Sequence, residues 1–137
     1  MRILIIASEI VKDKYSASLT VYKFIEAIPG HIKYDIMTEP MAIWDFEDNA
    51  DNKYITNYKI PESNKRSLTE KILSKYFKVT LRHRKRYNAF IDKIKSLNLD
   101  KYDAVIAFGG GGFFEPLEAV SQFKTKAKTI GFIHDPY

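Results

Sequence analysis

The stretch Tyr102–Gly112, YDAVIAFGGGG, decides the fold of this chain. Its apolar run, Ala104–Phe108, is short, β-branched at its centre and without a charged residue. Such a run predicts a strand buried on both faces, as in a parallel sheet. Four glycines follow, and because glycine has no Cβ, this backbone can take positive φ or approach a ligand closely. Pro116, a residue favoured in the first turn of a helix, completes a unit of strand, glycine loop and helix.

Strand and helix patterns alternate along the rest of the chain. Short apolar runs predict strands at 2–7, 33–38 and 128–133, with an edge strand at 54–60. Helical spacing predicts helices at 19–28, 67–97 and 116–124, the second being one long bent helix or two helices that meet at 82–86. The alternation predicts one α/β domain, 1–137, with a Rossmann-like, mostly parallel sheet of about five strands in the order 3-2-1-4-5 and helices on both faces.

The composition narrows the kinds of site that the chain can carry. With no cysteine among 137 residues, it has no disulfide framework and no thiolate nucleophile. Its three histidines, His31, His83 and His134, lack the spacing of metal ligands, so we expect no metal site. The sequence contains no G-x-x-x-x-G-K-[ST], G-x-G-x-x-G or G-x-S-x-G motif. The run Ile3–Ala7 is too short for a signal peptide and no run is long enough to span a membrane, so we expect a cytoplasmic protein.

Three predicted loops meet at the carboxyl edge of such a sheet, where ligands bind in open α/β folds. The residues available there for binding a substrate are Ser8, Glu9, Gly109, Gly110, Gly111 and Gly112. His134 is of a residue type that can orient a hydroxyl or exchange a proton with it, and Asp135 is next to it in sequence. The alternatives are structural: the glycines can serve only a tight turn, His134 can bond backbone at a strand end, and Asp135 can form a turn before Pro136.

Four segments carry a resemblance to a known family. They are MRILIIAS at the start, EAIPGHIKYDIMT from helix to strand, YDAVIAFGGGG, and TIGFIHDPY at the last strand. In this order and spacing the chain resembles the N-terminal Rossmann-like domain of GT-B glycosyltransferases, especially the retaining kind that use nucleotide sugars. The likeness extends over essentially the whole chain. It departs from the family at Phe108, where a histidine is common, and at Ser16-Ala17-Ser18, where paired glycines are common.

The resemblance implies a function for the candidate residues. His134 would be the cleft histidine near the transferred sugar, with Asp135 beside it, and the glycine loop would line the acceptor side. The acceptor would be a glycan or a lipid-linked glycan, as in polysaccharide biosynthesis, and the chemistry would need no metal or other cofactor. A second, C-terminal nucleotide-binding domain would hold the nucleotide sugar, so we expect the 137-residue chain to be inactive alone.

Positive charge is concentrated in the segment 68–97. This segment carries a net charge of +7 within a chain of +5, so the remainder is −2. Such a segment is most often a core-packed helix with a solvated basic face. Alternatively, the basic residues Arg82, Arg84, Lys85 and Arg86 face the anionic inner surface of a membrane, which suits a lipid-linked acceptor. Binding to nucleic acid is not expected, because no nucleic-acid-binding motif accompanies the charge.

Two functions of other classes compete with the glycosyltransferase interpretation. The first is a stand-alone nucleotide- or phosphate-binding module, which would hold an anion at the glycine loop and at the helix that begins near Pro116. The second is an adaptor without catalytic activity, which would dock its basic helix on a membrane or on nucleic acid.

Overall fold

The computed structural model describes residues 1–8, 10, 17–38, 55–59, 72, 81–110 and 114–134. Within these ranges, residues 17, 18, 55–59, 81 and 82 are described by their backbone. The candidate residues Glu9, Gly111, Gly112 and Asp135 lie outside the described part, as does most of the predicted helical segment 67–80.

Five parallel strands form one sheet in the order β3-β2-β1-β4-β5. The strands are β1 (Arg2–Ile6), β2 (Lys33–Thr38), β3 (Ile55–Lys59), β4 (Ala104–Gly110) and β5 (Lys128–His134). The helices are α1 (Ala17–Glu26), α2 (Leu81–Lys95) and α3 (Glu115–Ser121), with a 3-10 turn at Leu99–Lys101. The predicted α/β class and parallel sheet are confirmed, with β3 seen as a backbone strand on the outer side of β2.

The two faces of the sheet carry separate apolar cores because side chains alternate along each strand. Ile3 and Ile5 of β1 join Phe108 of β4 under α1, which contributes Val21 and Ile25. On the opposite face, a second core lies under α2 and α3; its strand and helix residues include Leu4, Ile6, Val105, Ala107, Phe90, Ile94, Ala119 and Val120. The predicted helices on both faces are therefore present.

Three predicted boundaries differ from the structure. Strand β4 runs through Gly109 and Gly110, which the sequence assigned to a loop. Helix α3 spans Glu115–Ser121, so it begins one residue before Pro116 and ends before Lys124. Helix α2 runs without a break through the basic run 82–86; how it continues toward residue 67 lies outside the described part.

The amino edge of the sheet is organised around the carboxylate of Asp35, which is fully buried in β2. Arg2 Nη2 reaches both of its oxygens, at 3.0 and 2.8 Å, and the Tyr102 hydroxyl donates to Oδ2 at 2.6 Å. Lys101 Nζ lies 3.9 Å from the same oxygen. Since a buried charge is tolerated only when it is paired and hydrogen-bonded, this cluster fixes β1, β2 and the approach to β4 against one another.

The start of β5 is tied to the same edge by backbone and side-chain hydrogen bonds. Lys128 N donates to Asp103 O at 3.0 Å, and Asp100 accepts from Lys126 N and from the Thr125 hydroxyl, both at 2.8 Å. These hydrogen bonds hold the pKa of the Asp100 carboxyl below its ordinary value. Strand β5 therefore enters the sheet in a defined register.

Strand β5 is exposed from Lys128 to Ile133. Ile130, Phe132 and Ile133 are 38%, 42% and 66% exposed, although parallel strands are normally covered on both faces. Because side chains alternate, these residues place apolar surface on both faces of the same edge strand. An exposed apolar patch of this kind is typical of a surface that another structural element covers.

Replacing Asp35 with Asn should lower the free energy of unfolding by about 3 kcal/mol. The substitution removes the negative charge that pairs with Arg2, and the Tyr102 hydroxyl stays buried beside a neutral amide. Urea unfolding followed by circular dichroism measures this loss. The matched control is Asp103→Asn: Asp103 is exposed, and an Asn there can still accept the bond from Arg2 N, so the loss should be under ~1 kcal/mol. Equal losses in the two variants would contradict the role given to Asp35.

Candidate functional site

The carboxyl edge of the sheet brings together the ends of its two central strands and of β5. Strand β1 ends at Ile6, two residues before Ser8, and β4 ends at Gly110. Gly110 pairs with His134, the last residue of β5. The structure therefore brings the described members of the predicted site, Ser8, Gly109, Gly110 and His134, to one edge, as the strand order requires.

Gly109 and Gly110 allow close packing within the sheet and against α3. A Cβ on Gly110 would overlap the backbone carbonyl oxygen of His134 on the neighbouring strand. A Cβ on Gly109 would overlap the Leu117 side chain and lie 3.1 Å from Phe114. Both glycines are buried at the end of β4, so they lie in the strand and not in a loop, where they allow close packing. That they bind a substrate stays a prediction.

His134 lies at the end of an aromatic row on the α1 face. The ring of Phe108 contacts Phe24 of α1 at 5.4 Å and Phe132 of β5 at 5.2 Å between centroids. His134 follows Phe132 by two residues and therefore points to the same face. Its side chain is partly exposed at the carboxyl edge, which leaves it accessible to a ligand there.

Ser8 is buried at the end of β1, and its hydroxyl oxygen has no hydrogen-bond partner within the described part of the chain. Buried hydroxyls in folded proteins nearly always find a partner, because an unpaired one loses its hydration without compensation. A buried hydroxyl without a described partner, at the edge where α/β sheets bind ligands, therefore suggests a functional role for Ser8.

A cluster of charged side chains that sequence reasoning missed joins α2 to the start of α3. The Glu115 carboxylate is almost fully buried, and its Oε1 lies 3.3 Å from His83 Nδ1 and 3.7 Å from Arg86 Nε. Glu118, which is half exposed, lies 2.9 Å from His83 Nε2. The second oxygen of Glu115, Oε2, is buried and has no partner among the described residues.

The spacing of residues along α2 could have predicted that Arg86 is buried. Arg86, Phe90 and Ile94 recur every four residues, which places them on one helical face, and all three are buried. The predicted membrane-facing basic patch of Arg82, Arg84, Lys85 and Arg86 is therefore wrong at Arg86, which lies inside and pairs with Glu115. Arg84 and Lys85 are exposed, and the side chain of Arg82 lies outside the description.

The described residues offer neither a metal-ligand cluster nor a helix that could span a membrane. There, no three histidine, cysteine or acidic side chains are grouped so that they could bind a metal ion. Among the same residues, no helix has the length and apolar content needed to cross a bilayer.

Comparison of the chain with protein-family models, with curated proteins and with solved structures returned no match.

Gly110→Ala should be strongly destabilising, by about 3 kcal/mol or more, because the new methyl group would collide with backbone that cannot move without breaking the β4–β5 pairing. Thermal or urea unfolding measures the loss. Gly131→Ala is the control: its Cβ would lie 3.0 Å from the end of the flexible Leu117 side chain, so a smaller loss is expected. If Gly131→Ala costs as much as Gly110→Ala, the packing role of Gly110 is refuted.

Ser8→Ala should raise the free energy of unfolding by about 1 kcal/mol, because it removes a buried hydroxyl that no described group satisfies. Ser121→Ala is the matched control, since the Ser121 hydroxyl donates to Glu118 O at 2.7 Å and its loss should be neutral or slightly destabilising. A stabilising effect at Ser8 alone is the pattern of a residue kept for function. A destabilising effect at Ser8 would mean that its hydroxyl is satisfied in the folded protein.

Proposed function

We propose that this chain is the Rossmann-like, N-terminal half of a GT-B glycosyltransferase that transfers a sugar from a nucleotide-sugar donor to a glycan or lipid-linked acceptor. The observation that carries the proposal is the convergence of Ser8, the end of β4 and His134 on one edge of a doubly wound parallel sheet. Such edges bind ligands because neighbouring loops there diverge toward opposite faces and leave a crevice.

In this proposal His134 contacts the acceptor hydroxyl that attacks the donor sugar. Its imidazole is partly exposed at the edge and is held in position by the pairing of its backbone with Gly110. An imidazole at this position can accept or orient the proton of a hydroxyl. Asp135 would act beside it.

A second domain would supply the donor nucleotide site. The exposed apolar residues of β5 support an additional element at this strand, because Ile130 and Phe132 on one face and Ile133 on the other otherwise remain in contact with water. The chain alone would bind acceptor but transfer no sugar.

The competing phosphate-binding module is less well supported. It needs an anion beside the glycine loop and the first turn of α3, but that turn contains two carboxylates, Glu115 and Glu118. They would repel a phosphate, and Arg86 and His83 already lie against them. The adaptor alternative is weakened as well, because Arg86 is buried and is therefore not part of an exposed basic surface.

The test is transfer from a panel of nucleotide sugars by the longest gene product that contains this chain. His134→Ala should lower the rate by roughly a hundredfold or more if the imidazole takes part in proton transfer. His31→Ala is the matched control, because His31 is exposed in a turn after α1 and should leave the rate unchanged. Circular dichroism of each variant verifies folding.

Two outcomes would reject the proposal. Folded protein that transfers from no nucleotide sugar would exclude the glycosyltransferase function. Equal transfer rates in the native protein and in His134→Ala would show that His134 takes no part in the reaction.

A further inference from the structure

The end of β5 is held against β4 from both faces of the sheet. On one face Leu117 of α3 lies over two glycines: a Cβ on Gly109 would overlap its Cδ1 atom, and a Cβ on Gly131 would lie 3.0 Å from its Cδ2 atom. On the opposite face the ring of Phe132 packs on the ring of Phe108, with 5.2 Å between the centroids. One leucine side chain therefore spans the two strands from the α3 side, opposite a pair of aromatic rings.

The two glycines make this contact possible because together they leave a notch in the surface of the sheet. Gly131 of β5 is the register partner of Ala107, and Gly109 lies two residues farther along β4 than Ala107. Residues two apart in a strand face the same side, so the two missing side chains open toward the same helix. The Leu117 side chain fills the space that they leave.

Strand β5 depends on such contacts more than the central strands do, because it is at one edge of the described sheet. Within that sheet it pairs with β4 alone, and it is exposed from Lys128 to Ile133. A segment with few buried apolar contacts opens at a lower free energy than the core. His134 is the last residue of β5 and pairs with Gly110. Its position therefore depends on the contacts that keep the end of β5 on β4.

We infer that Leu117 is a positioning residue for His134. The inference rests on the proposed function, in which His134 contacts the acceptor hydroxyl. Leu117 packs on the α3 side of the sheet, whereas the His134 side chain lies on the α1 side, so Leu117 acts through the strand and not by contact with a ligand. Misplacing a reacting group by about 1 Å can lower a rate about a hundredfold, so the register and position of the strand end matter to the chemistry.

Val120 distinguishes this role from ordinary packing. It lies three residues along the same helix and is buried in the core under α2 and α3. Truncating Val120 should loosen the domain as a whole, because it removes part of that core. Truncating Leu117 should loosen the end of β5 first, because its side chain lies on Gly131.

The first experiment is amide hydrogen exchange of the isotopically labelled 137-residue chain, followed by NMR. Leu117→Ala should speed the exchange of the β5 amides that bond to β4 by about fivefold or more relative to the amides of β1, since losing a buried apolar contact shifts an opening equilibrium by about that factor. Leu117→Met has a flexible side chain of similar volume and should restore most of the protection. Val120→Ala should change β1 and β5 in equal proportion. An equal effect of Leu117→Ala on β1 and β5 would overturn the inference.

The second experiment measures sugar transfer by the longest gene product that contains this chain. Leu117→Ala should lower kcat about tenfold or more at saturating acceptor, because the imidazole is no longer held in place. The KM for the nucleotide sugar should not change, since the donor site is assigned to the second domain. Leu117→Met should recover most of the lost kcat, and Val120→Ala should keep it. An equal loss of kcat in Leu117→Ala and Val120→Ala would indicate a general loss of stability and would overturn the inference.

The two experiments separate this inference from the proposed function. If no nucleotide sugar is a donor but Leu117→Ala selectively releases the β5 amides, the positioning of His134 by Leu117 is supported and the glycosyltransferase function is rejected. If sugar is transferred and Leu117→Ala keeps the native kcat, the inference alone is overturned.

Discussion

The central strands β1 and β4 must be covered on both faces, and the rest of the structure depends on that constraint. Their side chains are almost wholly apolar on either side, so a single helix layer would leave half of them in water. Helix α1 covers one face, and α2 with α3 covers the other. The helices that follow β1 and β4 therefore lie on opposite faces, the arrangement that places ligand sites at the carboxyl edge of open α/β sheets.

Two buried carboxylates lie at opposite edges of the sheet, and they differ in how their oxygens are hydrogen-bonded. Asp35, at the amino edge, is contacted by Arg2, Tyr102 and Lys101, and both of its oxygens accept hydrogen bonds. Glu115, at the carboxyl edge, has Arg86 and His83 beside one oxygen, and its other oxygen has no partner among the described residues. The first arrangement is what stability requires of a buried carboxylate, since both of its oxygens are compensated. The second leaves one buried oxygen without a hydrogen-bond donor in the described part of the chain.

The glycines after Phe108 illustrate how one feature can serve the fold and the site together. Gly110 lets the carbonyl of His134 lie against β4, and Gly109 makes room for Leu117. Close approach of β5 and α3 to the end of β4 is what brings His134 and Glu115 to the same edge as Ser8. The geometry of the candidate site therefore depends on the packing of two residues that have no side chains of their own.

The sequence by itself determined the α/β class, the parallel sheet and the position of the candidate site at its carboxyl edge. These follow from local periodicity and from the alternation of strands and helices, which depend on neighbours along the chain. Only the tertiary structure decided that Arg86 lies inside, that Glu115 is buried against it, and that the Ser8 hydroxyl has no partner among the described residues. These properties arise from contacts between residues far apart in sequence, such as 86 and 115, and the burial that creates them exists only once the helices have packed on the sheet.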